Sequence, residues 1–291
     1  MEIRHKVVIL TKKSAHHWYF ISELAKVCDI EAIIMDQPER GTLFSKIDKH
    51  GLVWTLLKSA AKFFGRSVYN IEKELESYCS NFDLTSAKRT YGHLVHNVKD
   101  INSDESKKLL AEIGPDYLCS LGGGLIGSEG IASAKIGALN LHSGISPFYN
   151  GADMVDKVIE SRNLNFIGST LMLLTPQIDA GPILGHHLPR IDTVETSHSL
   201  FCKAIIGGIM LYTNFLTSKQ SLAPKALNLI RQKTPIHYYL GYDHTIKTEV
   251  VKKYFFKRSM TRKFVRDALT LKYYEHPTDF DELLKLMNVI H

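Results

Sequence analysis

Hydrophobic positions in the first 140 residues fall into two patterns. Lys6–Thr11 (KVVILT), Ile30–Met35 (IEAIIM), Tyr117–Leu121 (YLCSL) and Gly137–Leu141 (GALNL) are short, nearly continuous apolar runs, as expected of strands buried on both faces. Between them, Ser14–Val27, Ser103–Ile113 and the short Ser128–Ala134 have the spacing of helices, the first two opened by a serine cap. Residues 42–80 read as mostly helical, with basic and aromatic residues interleaved in Leu57–Phe64, and a polar loop separates them from a third strand at His93–Val98. Strands alternating with helices predict an α/β fold, a mostly parallel sheet with helices on both faces.

The pattern changes after residue 142. Phe166–Leu174 and Gly181–Leu188 read as two strands joined by a turn, and Thr193–Leu216 as one long helix. A Tyr- and Lys-rich run, Thr248–Tyr274, and a capped terminal helix, Thr278–Ile290, complete the chain. This divides it into a main domain, residues 1–220, and a smaller C-terminal segment, residues 221–291, read as an appendage or small domain.

At 291 residues, 44% hydrophobic and 23% charged, the composition excludes disorder or a fibrous repeat as a description of the whole. The balance of 36 Lys+Arg against 30 Asp+Glu, a net +6, tolerates phosphates without demanding nucleic acid. Cys28, Cys79, Cys119 and Cys202 stand far apart with no metal spacing, which reads as buried free thiols. No metal is expected, because the adjacent His186 and His187 would face opposite sides of a strand. The longest apolar candidate, Ala204–Leu216, is broken by Gly207, Gly208 and Asn214. With no signal peptide at the N-terminus, a cytoplasmic protein without a membrane span is expected.

Gly122, Gly124 and Gly127 form a G-x-G-x-x-G between a strand and a helix, the context of a dinucleotide fingerprint. That fingerprint carries an acidic residue about 20 positions further on, whereas no Asp or Glu occurs between Glu129 and Asp153. An NAD-dependent oxidoreductase is thus the minor reading. The glycines are better suited to letting backbone approach a ligand.

The strand GALNLH puts Asn140 and His142 two residues apart, on one face. The loop SGISPFYNG follows, beyond the C-terminal edge of the sheet, where open α/β sheets bind ligands. Asp179 lies in a later Gly/Pro-flanked turn. An amide, an imidazole and a carboxylate at such junctions suit acyl transfer without a covalent intermediate. Singly, a strand-end histidine and an aspartate before glycine are more often structural.

Asn140-Leu-His142-Ser-Gly-Ile-Ser-Pro147-Phe-Tyr-Asn-Gly151, then Gly168-Ser-Thr170 and Ile178-Asp179-Ala-Gly181-Pro182-Ile183, resemble the 10-formyltetrahydrofolate-dependent formyltransferases. The 37 residues from His142 to Asp179 are one more than that family's usual spacing. The resemblance covers residues 110–190, is vague over 1–100 and is absent beyond about 220. It implies a Rossmann-like fold, with Asn140 polarising the formyl carbonyl, His142 stabilising the same charge or shuttling a proton, and Asp179 assisting deprotonation of the attacking amine. It also implies that Gly124, Leu125, Ile126 and Gly127 grip the pterin of 10-formyltetrahydrofolate, with Asp179, Ala180 and Gly181 closing the other side. Gly124 departs from an arginine common there in the purine enzyme.

Within that resemblance the GISPFYNGAD loop is closest to sugar N-formyltransferases of polysaccharide biosynthesis. The expected acceptor is therefore the primary amine of a nucleotide-linked amino sugar. Its binding residues would be Lys12, Lys13 and Ser14 in the first βα turn, where backbone N–H groups suit a phosphate, together with Tyr149 and Gly151. A homodimer is compatible with this reading. Methionyl-tRNA, glycinamide ribonucleotide and a hydroxyornithine-like amine are the alternative acceptors. The seven Lys or Arg between Lys252 and Arg266 would suit nucleic acid, but a solvated helix face explains them as well. Formyltetrahydrofolate hydrolysis and a non-catalytic folate-binding protein complete the alternatives.

Overall fold

The computed structural model describes residues 4–36, 71–232, 237–239 and 264–276, together with positions 52, 56 and 285. Apart from those three positions, the helical reading of residues 42–70, most of the basic run before Arg266 and the terminal helix at 278–290 lie outside the described residues.

Five strands form the parallel part of the sheet: β1 (Lys6–Thr11), β2 (Asp29–Asp36), β3 (Val95–Val98), β4 (Tyr117–Leu121) and β5 (Gly137–His142). Three more extend it: β7 (Ser169–Leu173), β8 (Ile183–Leu188) and β10 (Leu269–Lys272), in the order β10-β8-β7-β5-β4-β1-β2-β3. β7 runs antiparallel to β5, β8 to β7 and β10 to β8. The α/β, mostly parallel reading therefore holds: four of the seven strand pairings in this sheet are parallel, and the three toward the β10 edge are antiparallel. A small parallel pair, β6 (Tyr149–Gly151) with β9 (His237–Tyr239), sits apart.

Strand alternation sorts the core into two layers. Val7 and Ile9 of β1 pack with α1 (Ala15–Val27) and α7 (Ser197–Thr217), whereas Val8 and Leu10 pack on the opposite face with Leu110 of α4 (Asp104–Ile113). Two shorter helices, α2 (Ile71–Tyr78) and α3 (Leu84–Tyr91), join the first face; α3 occupies sequence read as a polar loop. Asp83 caps α3 through Thr85 N, which is why a polar, serine- and threonine-containing stretch still forms a helix. Ser103 likewise caps α4, while Ser14 begins α1 without a side-chain hydrogen bond. A short helix, α5 (Ser128–Ala132), precedes β5, and α6 (Met154–Glu160), absent from the sequence reading, follows β6.

α7 has the length and apolar composition of a membrane span, yet most of it is buried within the fold. Its glycines allow close approach to the sheet: a Cβ on Gly207 would fall 1.9 Å from His187 Nε2. All four cysteines are free thiols, three of them buried.

The C-terminal segment is not peripheral where it is described. β10 completes the sheet, Ile230 bridges Ile183, and Arg266 pairs with Ile191. Arg266 is buried, with no carboxylate at its guanidinium among the described residues; it donates instead to Pro189 O (2.9 and 3.2 Å), Asn165 O (2.8 Å) and Ile167 O (2.9 Å). Burial lowers its pKa to about 10.

Candidate active site

β1 leads to β2 and β3 on one side, and β4 and β5 lie on the other. Ligands bind beyond the strand ends where such a sheet changes direction. A cleft of about 410 Å³ opens there, lined from Lys12 after β1, the Gly122–Ile126 loop after β4, the end of β5 and the Leu174–Asp179 turn.

Asn140 and His142 share one face of β5, alternating with Leu139 and Leu141, which enter the core with α7. The turn after β7 folds back over that face. Asn140 Nδ2 donates to Asp179 Oδ1 at 3.2 Å, and His142 Nδ1 lies 3.3 Å from Asp179 Oδ2. Gly151 N donates to the same Oδ2 at 3.0 Å. The three residues singled out in the sequence therefore meet at one carboxylate, although 37 residues separate the histidine from it.

Donor counting shows what this arrangement holds. His142 Nε2 is 2.9 Å from Tyr149 O, and a carbonyl only accepts, so Nε2 carries a hydrogen. In a neutral ring Nδ1 then carries no hydrogen and lies 3.3 Å from Asp179 Oδ2, a carboxylate that would stabilise a proton taken up by the ring. The pair is 5% and 10% exposed at its side chains, which shields it from bulk water.

The loop after β5 is held tightly. Thr170 Oγ1 donates to Gly144 O and accepts from Ser146 N (2.9 Å), and His186 Nε2 donates to Ser146 O (2.9 Å). The Ser146–Pro147 peptide is cis. Burial holds His186 at a pKa of about 4, so it is the neutral tautomer, with Tyr273 OH at Nδ1 (2.8 Å). His187 points the other way, to Thr270 Oγ1 at 2.9 Å.

On the opposite wall, Gly124, Leu125 and Ile126 line the cleft. Gly127 does not; its N–H donates to Asn102 Oδ1 (2.7 Å), while Asn102 Nδ2 donates to Leu125 O (2.8 Å). Asn102 thereby fixes the loop, a role the sequence did not signal. Asp36, where burial raises the carboxyl pKa, accepts from the Gly124 N–H. Leu125 and Ile178 are exposed on facing lips, at 53% and 44%. Ala180 and Gly181 lie behind the turn rather than along the cleft.

Lys12 also lines the cleft, near enough to Asp36 to act on its carboxyl, whereas Lys13 and Ser14 are exposed outside it. His16 and His17 lie tilted against each other at the start of α1, with ring centroids 4.1 Å apart and planes at 37°. Burial, and then Lys12, lowers His16 to about 4; burial, then His16 and Lys12, lowers His17 well below its ordinary value. Thr11 Oγ1 donates to Leu121 O (3.0 Å) and so accepts from His17 Nδ1 (2.8 Å), leaving Nε2 bare. Gly122, at φ +66°, lies against this ring: a Cβ would be 2.7 Å from His17 Cε1. Gly151 and Tyr239 also line the cleft. The Tyr149 side chain does not, because its ring is buried and its hydroxyl bonds Ser161 Oγ and Asn163 Nδ2. Tyr149 reaches the site only through the carbonyl that orients His142. Among the described residues no cluster of His, Cys, Asp or Glu would hold a metal ion.

Residues 67–204, which include Asn140, His142 and Asp179, match the family model described as formyl transferase. The match covers just under half of the chain. A methionyl-tRNA formyltransferase of Rhodopirellula baltica is 31% identical over 113 residues, 38% of this chain and 33% of that protein. The chain thus matches about a third of the length of that relative. Among solved structures, a 4-N formyltransferase from Francisella tularensis superposes with a TM-score of 0.53 at 13% identity, over 85% of this chain and 86% of its own. The N-formyltransferase from Helicobacter canadensis, solved in complex with folinic acid and dTDP-3-aminofucose, has a TM-score of 0.50 at 15% identity, over 82% and 72%. At these identities the superpositions establish a shared fold, in keeping with the sheet described above.

Proposed function

We propose that this protein is a formyl transferase that moves a formyl group from 10-formyltetrahydrofolate to the primary amine of a nucleotide-linked amino sugar. The observation that carries the chemistry is the meeting of Asn140, His142 and Asp179 at one shielded carboxylate. The folate fits the cleft: its volume lies in the range of about 300–1,000 Å³ that binds small molecules. Leu121, Leu125, Ile126, Leu174 and Ile178 offer apolar walls, and the glycine loop offers backbone groups to a flat, polar-edged ring.

In this reading, Asn140 turns its second amide hydrogen to the formyl oxygen, where negative charge develops. The amine attacks the formyl carbon, and the bond from that carbon to the folate nitrogen breaks. The His142–Asp179 pair would take the proton lost by the amine and deliver one to the departing nitrogen. Gly151 N–H and the Tyr149 carbonyl hold the two carriers in place throughout.

For the acceptor, the exposed Lys12 in the lining of the cleft would meet a phosphate, with Lys13 and Ser14 following it on the exposed turn. Gly151 and Tyr239 would flank the sugar. The nucleotide-sugar ligand of the Helicobacter canadensis protein, which shares the fold over 82% of this chain, supports this choice. The second reading, formylation of methionyl-tRNA, is favoured by the names of the curated relatives matched in sequence.

Release of tetrahydrofolate from 10-formyltetrahydrofolate, screened against dTDP-, UDP- and GDP-amino sugars, glycinamide ribonucleotide and methionyl-tRNA, tests both. Turnover dependent on one sugar nucleotide and lost in His142→Asn is expected. Turnover with methionyl-tRNA alone would replace the acceptor, and release without any acceptor would indicate a hydrolase.

A further inference from the structure

Asp179 is a non-glycine residue at φ +47°, a left-handed conformation uncommon outside glycine, though aspartate adopts it more readily than most residues, and one that its surroundings must hold. Two amide side chains do so. Asn150, fully buried on β6, donates from Nδ2 to Asp179 O at 2.8 Å and to Gln232 Oε1 at 3.3 Å. Gln232 Nε2 donates in turn to Gly181 O at 2.7 Å. Because both ends of this chain are backbone carbonyls, which only accept, the orientation of each amide is forced. The adjacent Gly151 N–H holds the Asp179 carboxylate, so neighbouring residues of β6 grip one aspartate at both its carbonyl and its side chain.

We propose that Asn150 and Gln232 are positioning residues for the proton carrier, and that Gln232 makes the C-terminal segment part of the active site. This rests on the formyl-transfer reading above. Neither amide touches the cleft; they act by keeping Asp179 Oδ1 and Oδ2 facing Asn140 and His142. Ile230, two residues before Gln232, is pinned to β8 through Ile183 N and delivers Gln232 to the turn.

Gln232→Glu conserves shape and tests this directly. Ionised, the introduced carboxylate has no hydrogen for Gly181 O; protonated, it regains one while its other oxygen still accepts from Asn150. At pH 8 the kcat of this variant should fall about tenfold to hundredfold, with KM for the folate within about twofold of wild type. The ratio of variant to wild-type kcat should climb as pH is lowered. Gln232→Leu, which has no proton to regain, should show the loss without the climb. A Gln232→Glu enzyme matching wild type at every pH, or losing activity with no pH dependence, would overturn the proposal. If wild type shows no formyl transfer, the functional reading fails and the clamp is read separately from the ¹⁵N signals of the His142 ring. These should move in Gln232→Leu, since Asp179 sits against Nδ1; ring signals identical to wild type would refute the clamp.

Discussion

Replacing Asp179 by asparagine removes one charge and one acceptor with almost no change of shape. Asparagine tolerates the left-handed conformation better than most residues, so the φ of +47° adds no strain, as it would in Asp179→Ala. Two donors reach the carboxylate, Asn140 Nδ2 on Oδ1 and Gly151 N on Oδ2, and His142 Nδ1 lies 3.3 Å from Oδ2. A carboxamide has one oxygen. If that oxygen takes the Oδ2 position, its NH₂ confronts Asn140 Nδ2; if it takes the Oδ1 position, its NH₂ confronts the Gly151 N–H. Either way a buried donor loses its partner, at about 1–3 kcal/mol. For a domain of this size that lowers Tm by roughly 2–4 °C per kcal/mol. The kinetic effect is larger, because a proton taken up by the His142 ring no longer has a carboxylate to stabilise it: loss of a positioned acid–base group costs about 10²–10⁴-fold in rate. The assay is acceptor-dependent tetrahydrofolate release under saturating folate, beside a thermal melt of the same preparation. Turnover within tenfold of wild type in a variant that melts cooperatively would refute the role given to Asp179.

Asn140→Ala should retain the fold and lose about 10²–10³ in turnover, the typical cost of one oxyanion donor; near-normal kcat would remove Asn140 from the chemistry. Arg266→Met should leave three buried carbonyls without a donor, at about 1–3 kcal/mol each, partly offset because the guanidinium no longer has to be desolvated. A denaturant midpoint equal to wild type would show that the C-terminal segment needs no such staple. Gly207→Ala should destabilise by about 1–3 kcal/mol from overpacking against His187, despite a helix-propensity gain of about 1 kcal/mol; a raised Tm would contradict the close approach of α7 to β8. Fully buried His186 titrates near 4 when folded, against an ordinary histidine value of 6.5. A depressed base contributes stability that is whole above 6.5 and lost as pH falls toward 4, with a slope of up to about 1.4 kcal/mol per pH unit. His186→Gln should flatten the unfolding free energy across that window, and an unchanged slope would argue against a neutral, buried ring.

Hydrophobic patterning was enough to read the parallel half of the sheet and its helices, since a strand covered on both faces needs an apolar run whatever its neighbours are. The same pattern does not encode strand direction. That β7, β8 and β10 alternate in direction follows from the turn at Thr175–Pro182 and from the return of the chain at residues 264–276. Asn140 and His142 were readable as partners because a strand fixes side chains two residues apart on one face. Asp179 joined them only through resemblance, because no local rule relates residues 37 positions apart.

Tyr149 shows the opposite failure: it sits in the loop expected to meet substrate, but its ring packs inward and only its carbonyl serves the site. Asn102, Asn150 and Gln232 carried no sequence signal, since a lone amide in a polar context is indistinguishable from a surface residue until its partners are known. The residue types of the site and the strands that present them were determined along the chain. Their mutual geometry — an aspartate in a left-handed turn held by amides from β6 and the C-terminal segment — was decided by tertiary structure, because hydrogen bonds to backbone carbonyls depend on where the chain passes and not on which residue supplies the carbonyl.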